Sequence, residues 1–278
     1  MLKSKSLNLD DSDSAGCRTR SGFGRLRAWR RVALLVSPWL VLLLIWSAIR
    51  MVSDKYAGLI PSISSVLGQG YELLLDGTLA SHWAASTLRV LGGVTLGVLL
   101  AIPAGFALGW YAGARRVMTP VLNFFRALPP IALIPLMIVY FGIGEPAKIL
   151  VLVYAAFFTS VVVLYEGISR IQPIYINVAR TLGASERELF VRVILPLALP
   201  HVLTASRVAL GVGWMTLVAS ELISAQQGLG SMIQIAASYF QLETIYLGLF
   251  SIGFTAMLMD FLLVRLSARL VGWQEQVK

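Results

Sequence analysis

Val90-Leu-Gly-Gly-Val-Thr-Leu-Gly-Val-Leu-Leu-Ala-Ile-Pro-Ala-Gly-Phe-Ala-Leu-Gly-Trp-Tyr-Ala-Gly-Ala114 runs for 25 residues without a charge and stops at Arg115-Arg116. A helix of about 20 apolar residues is long enough to cross the roughly 30 Å hydrocarbon core of a bilayer, so this stretch reads as a membrane span. The rest of the chain has the same character. Of its 278 residues 57% are hydrophobic and 13% charged, and the mean hydropathy is +0.78. A soluble domain carries roughly a quarter charged residues, which excludes an ordinary soluble enzyme.

Outward from that stretch, further charge-poor windows mark the other spans: Val32–Ile49, Ala127–Gly144 with its helix starting near Val117, Ile149–Tyr165, Val208–Ser220 extended through Arg207 and Glu221, and Ile245–Val264, which contains Asp260. The expectation is an all-α membrane protein of six transmembrane helices. The first apolar run has 18 residues, longer than the 7 to 15 of a signal-peptide core, and reads as an uncleaved helix. Residues 1–31 read as a basic, disordered tail, in which Cys17 is a bystander.

Orientation follows from the connecting segments, because cytoplasmic loops retain Lys and Arg. Seventeen basic residues fall on the side of the N-terminal tail, among them Arg115, Arg116, Arg170, Arg180, Arg187, Arg192, Arg265 and Arg269, against three, Arg50, Lys55 and Lys148, on the other. Both termini are therefore expected in the cytoplasm. The net charge of +9 then reports topology and contact with anionic lipid rather than nucleic acid. One cysteine and two histidines, His82 and His201, leave no metal cluster to build, and no His/Asp/Glu or Ser/His constellation suggests catalysis.

Small residues recur every four positions at Gly93, Gly97, Ala101, Gly105, Gly109 and Gly113, a ladder that lets a neighbouring backbone approach closely. Steps of four precess by about 40° on a helix, so the ladder is expected to wrap around and serve more than one neighbour. Pro103 inside it predicts a kink, and the adjacent Pro129 and Pro130 predict a break whose freed carbonyls need partners. Arg126, Pro129, Pro130, Trp214 and Glu221 are the candidates for a pathway or gate. Arg89, Arg126 and Arg207 read as end-of-helix residues snorkelling to the interface, and Asp260 as an acid near the cytoplasmic face beside Arg265 and Arg269.

Between the fourth and fifth spans, the segment from Ile171 to Pro196 is too patterned for a linker. Pro173 opens a helix whose apolar positions Ile174, Val178 and Leu182 share a face, and Gly183 stops it. Ser185 with Glu188 is a capping box for a second helix with Leu189, Phe190, Val193 and Ile194 on its apolar side, closed by Pro196. Asn177, Arg180, Thr181, Glu186 and Arg187 lie on the outer surface. Two short amphipathic helices thus form a knob projecting from the membrane.

This segment, Ala179-Arg-Thr-Leu-Gly183-Ala184-Ser185 followed by Val193-Ile-Leu-Pro196, resembles the EAA loop of the membrane subunits of binding-protein-dependent ABC importers. It departs from that pattern at Asn177, Val178 and Val193. The stretches Arg126–Lys148 and Gly211–Gly230 look like the branch serving taurine, alkanesulfonates and nitrate, with taurine permeases most alike. The resemblance covers residues 60–275. It implies a domain plan of a tail over 1–31, a transmembrane domain over 32–270 containing a cytoplasmic coupling loop over 171–200, and a tail over 271–278. It also implies a bacterial inner-membrane location, a second copy of the chain, two ATPase subunits and an extracytoplasmic binding protein that sets most of the selectivity. Asn177, Ala179, Arg180, Gly183, Ala184, Ser185 and Pro196 would touch the ATPase. ATP and Mg would belong to that partner, because this chain has no phosphate loop. The competing class is an ion-coupled secondary transporter, which would show internal repeats and several embedded ionisable residues.

Overall fold

A computed structural model describes residues 37–50, 59–224 and 226–271, and the expected N-terminal tail over 1–31 with Cys17, Lys55, and residues 272–278 of the expected C-terminal tail lie outside that range. The described residues form helices only, in two units, residues 1–62 and 63–278. In the first unit α1 (Ser37–Arg50) exposes Trp39, Leu42 and Leu44, and the Trp46 indole N–H donates to the Pro61 carbonyl at 3.1 Å. Residues 32–36 of the expected first span are among those not described.

The second unit runs α2 (Ile63–Leu75), α3 (Thr78–Trp110), α4 (Ala112–Ala127), α5 (Pro130–Phe141), α6 (Glu145–Ser169), α7 (Pro173–Thr181), α8 (Glu186–Ile223), α9 (Leu229–Ser238) and α10 (Leu242–Leu270). Among the described residues α3, α6, α8 and α10 are each long and apolar enough to cross a bilayer, and α4 with α5 makes a fifth crossing if the bent pair counts as one. The pair bends by 85° at Leu128-Pro129, where the two prolines remove consecutive backbone donors. α2 and the ten-residue α9 were not visible as spans, being too short to cross alone.

The most extensive packing joins α3 to α6 along the small-residue ladder. A Cβ at Gly93 would stand 2.5 Å from Leu152 Cβ, at Gly97 2.6 Å from Ala156 Cβ, at Gly105 2.5 Å from Leu164 Cβ and at Gly109 2.6 Å from Ile168 Cγ2. The ladder therefore serves one neighbour, not several. The reason is reciprocity: α6 presents its own series at the same step, Leu152, Ala156, Leu164 and Ile168, so one face of α6 follows the ladder from Gly93 to Gly109. Gly113 falls outside it, in α4, with open space around it. α3 runs through Pro103 as one helix.

α8 lies against both. Val90, Val94, Leu152, Ala156, Leu210 and Leu217 make the core where the three helices meet. Nearer the knob, Phe106, Ile168, Leu189, Ile194 and Ala198 form a second core on which Ile171, Ile176 and Ala179 pack. Pro196 does not close a short helix, as the spacing predicted. Instead Leu189–Ile194 is a π-helical stretch, with the Leu195 N–H bonded to the Phe190 carbonyl five residues back, and the helix continues to Ile223. The wider turn takes up the proline ring that a regular α-turn would exclude.

Candidate functional site

At the knob, α7 ends in two reversed hydrogen bonds, Gly183 N–H to the Arg180 carbonyl and Ala184 N–H to the Ala179 carbonyl, both at 3.0 Å. Gly183 has φ +82°, the left-handed conformation this ending requires and glycine adopts freely. The next residue but one starts α8 with both halves of the capping box: Glu188 N–H to Ser185 Oγ at 3.3 Å and Ser185 N–H to Glu188 Oε2 at 3.1 Å. Arg180 and Glu186 pair at 3.0 Å across the corner. The local conformation is thus the one its sequence predicts. Ala179 and Ala184 are half-buried and Asn177 is exposed, while Ile174, Val178 and Leu182, the last 82% exposed, form an apolar ridge facing away from the body.

A buried polar network lies at the opposite end of the bundle. Arg89 of α3, 7% exposed, donates Nε and Nη2 to the two Glu145 oxygens of α6 at 2.6 and 2.7 Å, and Nη1 to Glu221 Oε1 of α8 at 2.7 Å and to the Gln227 carbonyl at 2.6 Å. Glu221, 1% exposed, also accepts from Ser86 Oγ at 2.8 Å and from the Gly230 N–H at 2.9 Å. Lys148 Nζ adds a 3.0 Å bond to Glu145. Two cations and two carboxylates balance. Buried Arg89 and Glu221 each have several hydrogen-bonding partners, which is what makes their burial tolerable.

The same network holds the start of α9. Leu229 N–H donates to Ser86 Oγ at 2.8 Å and Gly228 N–H to His82 Nδ1 at 2.9 Å, so side chains of α3 and α8 cap a helix that has no local cap. Gly228 and Gly230 sit against Glu221, where a Cβ at Gly230 would come 2.7 Å from Glu221 Cβ. Arg89 is therefore a structural hub, not a snorkelling residue. Only the tertiary fold brings together partners 56 and 132 residues away. A cavity of about 650 Å³ beside the network is lined by Arg89, Glu145, Lys148, Gln226 and Gln227.

At the bend between α4 and α5, Pro129 has no N–H to give the Phe125 carbonyl four residues earlier, which accepts instead from the Leu128 N–H at 3.3 Å and from the Tyr154 hydroxyl of α6 at 2.5 Å. Tyr154 was not distinguishable in the sequence, because the need for it arises only from where α6 lies. Arg126 and Pro129 are exposed and Pro130 half-buried at this bend. Trp214, by contrast, is 4% exposed inside the α3–α6–α8 core, where it packs helices together.

Arg207 of α8 and Asp260 of α10 form a fork-to-fork ion pair, Nε to Oδ1 at 2.5 Å and Nη2 to Oδ2 at 2.8 Å. Asp260 lies ten residues before the end of α10, about 15 Å along it, and Arg207 sixteen residues before Ile223, about 24 Å, and each is the other's partner. The pair is open on one side, with side chains 55% and 39% exposed. A cavity of about 250 Å³ beside it is lined by Leu203, Thr204, Arg207, Leu263 and Ser267.

Comparisons with known proteins agree with this architecture. The chain is 46% identical over 220 residues to a "Probable ABC transporter permease protein" of Brucella abortus, covering 79% of this chain and 88% of that one. It is 37% identical over 258 residues to the taurine transport system permease protein TauC of Escherichia coli (90% and 92% covered), and 30% identical over 203 residues to the bicarbonate transport system permease protein CmpB of Synechococcus elongatus (73% and 70%). An inward-facing structure of the MetNI methionine ABC transporter shares the fold, with a TM-score of 0.61 at 21% identity over 69% of this chain and 95% of that one. The family described as "Binding-protein-dependent transport system inner membrane component" matches residues 93–273, and the chain belongs to it: it is a membrane-embedded permease of the ABC importer class.

Proposed function

We propose that this permease imports a small, taurine-like sulfonate. Two copies of the chain enclose the pathway, two ATPase subunits bind and hydrolyse ATP with Mg, and an extracytoplasmic binding protein delivers the substrate. The observation that carries the coupling half of this reading is the corner at Gly183: a rigid turn, anchored through Ala179, Leu189 and Ile194, that offers the exposed ridge of Ile174, Val178 and Leu182 to a partner. An apolar ridge on a polar rim fits a protein groove. The absence of an acid at 177 moves the contact onto that ridge and onto Arg180.

The reading adds α1, α3, the bent α4–α5 pair, α6, α8 and α10 to six crossings with both termini cytoplasmic, supported by the seventeen-to-three split of basic residues. The knob is then cytoplasmic and the Arg89 network faces the outer end. A reporter near Asp76 reads external and one between 171 and 192 cytoplasmic; the reverse at Asp76 overturns the topology.

The sulfonate assignment rests on the similarity to TauC, and the similarity to CmpB favours a second reading in which the cargo is bicarbonate or another small anion such as nitrate. Uptake of labelled taurine, nitrate and bicarbonate by the reconstituted importer separates them. Transport should follow ATP and survive collapse of ion gradients. Loss of uptake with the gradients, ATP still present, would instead indicate a secondary transporter.

A further inference from the structure

We propose that the cavity between the knob and the body of the bundle, lined by Arg115 and Arg180, takes a phosphate oxyanion, and that a phosphate bound there ties the knob to the body. Such a site goes beyond the transport reading and is independent of the cargo.

The cavity, of about 270 Å³, has walls from both sides of that joint. Gly109 and Arg115, at the junction of α3 and α4, and Ile168, near the end of α6, belong to the body, and Ile176 and Arg180 of α7 to the knob. Among its lining residues two are cations and none is a carboxylate. Arg115 is half-buried, gives Nη1 to the Gly109 carbonyl at 3.2 Å and has no ion-pair partner among the described residues. Arg180 gives Nη2 to Glu186 at 3.0 Å. Each guanidinium carries five N–H hydrogens, so one contact orients it and others are left for a further acceptor.

Charge and shape select the ligand. Two guanidinium groups against the single acid Glu186 leave one positive charge over, and the planar fork of a guanidinium matches the oxygens of a phosphate. A cation or a neutral molecule gains nothing from that surplus. Two sources supply this chemistry, a lipid headgroup and free phosphate. A headgroup is within reach, because Arg115 is the first charge after the 25-residue uncharged run, where a crossing helix leaves the hydrocarbon. Trp110, of a residue type that gathers at that level, lines the same cavity.

The test uses the purified full chain in nanodiscs of phosphatidylcholine alone, of phosphatidylcholine mixed with phosphatidylglycerol, or of phosphatidylcholine with inorganic phosphate added, all at one ionic strength, and reads amide hydrogen exchange in α7. In wild type, phosphatidylglycerol or inorganic phosphate should slow exchange there by about threefold or more. Arg115→Gln should weaken that response about tenfold, whereas Arg116→Gln, which alters an exposed arginine outside the cavity, should leave it as in wild type. Slowing by phosphatidylglycerol alone assigns the phosphate to a lipid, slowing by the inorganic ion alone to free phosphate, and slowing by both to the shared group. Exchange in wild type that responds to neither overturns the proposal. So does equal weakening by Arg115→Gln and Arg116→Gln, the mark of diffuse attraction to an anionic surface. Should Arg115→Gln fail to assemble, Arg180→Gln takes its place, and an unaltered response in that variant overturns the site.

Discussion

Arg89 of α3 and Glu221 of α8 meet at 2.7 Å in a site that excludes solvent from both, and through Ser86 and the N–H groups of Leu229 and Gly230 the contact extends to the start of α9. A single carboxylate thus ties together three helices and a turn at one end of the bundle.

Glu221→Gln should destabilise the protein strongly, by about 3–5 kcal/mol, because it leaves the Arg89 guanidinium buried with less compensation. Removing both charges in Arg89→Met/Glu221→Gln should cost less than the sum of the single changes. Thermal unfolding of the three variants in one detergent measures this, and strictly additive losses would show that the two residues are not coupled.

The α3–α6 interface has no room for side chains. Gly97→Leu should prevent close packing, since even the first carbon would approach the Val153 carbonyl oxygen within 2.8 Å, whereas Gly92→Leu, with open space around it, should be tolerated. Yield of monodisperse permease after purification distinguishes the two.

Gly183→Val places a β-branched residue at φ +82°, a strain of about 1–3 kcal/mol, but no atom lies within 4 Å of the new Cβ. The damage should therefore be confined to the corner: the protein inserts in the membrane and keeps its core, but retains its ATPase poorly or fails to couple it. Gly183→Asn, which tolerates that conformation better, should be milder. Co-purification of the ATPase together with uptake reads this out, and full retention with full uptake by the valine variant would remove the knob from the coupling path.

Tyr154→Phe should leave the Phe125 carbonyl at the proline break with only the 3.3 Å bond from the Leu128 N–H and cost about 1 kcal/mol. Its effect should be greatest on the angle between α4 and α5, followed by spin labels placed on the two helices. An unchanged distance distribution and an unchanged midpoint of unfolding would mean that the Leu128 N–H alone satisfies that carbonyl.

Much of the architecture was legible because it depends on local chemistry. The uncharged run ending at Ala114 has to lie in a membrane, Pro129-Pro130 has to interrupt a helix, and Gly183 with Ser185 and Glu188 specifies a corner whose hydrogen bonds close within six residues of chain. Where the reading went astray, a distant partner decided the outcome. The Gly93–Gly109 ladder was expected to serve several neighbours, and α6 alone follows it because its own small and branched residues keep the same step. Pro196 was expected to end a helix, and the π-turn from Leu189 to Ile194 carries the chain through it because Leu189 and Ile194 are held by Phe106 and Ile168.

The charges show the division most clearly. In sequence Arg89, Arg207 and Asp260 are lone ionisable residues in apolar surroundings, and the cheapest account of a lone charge is that it reaches for the headgroups. Residues on α3, α6, α8 and α10 that are 53 to 132 positions apart turn them into one closed network and one open pair. Hydropathy, topology signals and turn chemistry are properties of short segments, so the sequence by itself determined the membrane class, the break and the corner. Which charges are buried together and which form a half-exposed pair depends on how four helices cross, and only the tertiary structure decided it.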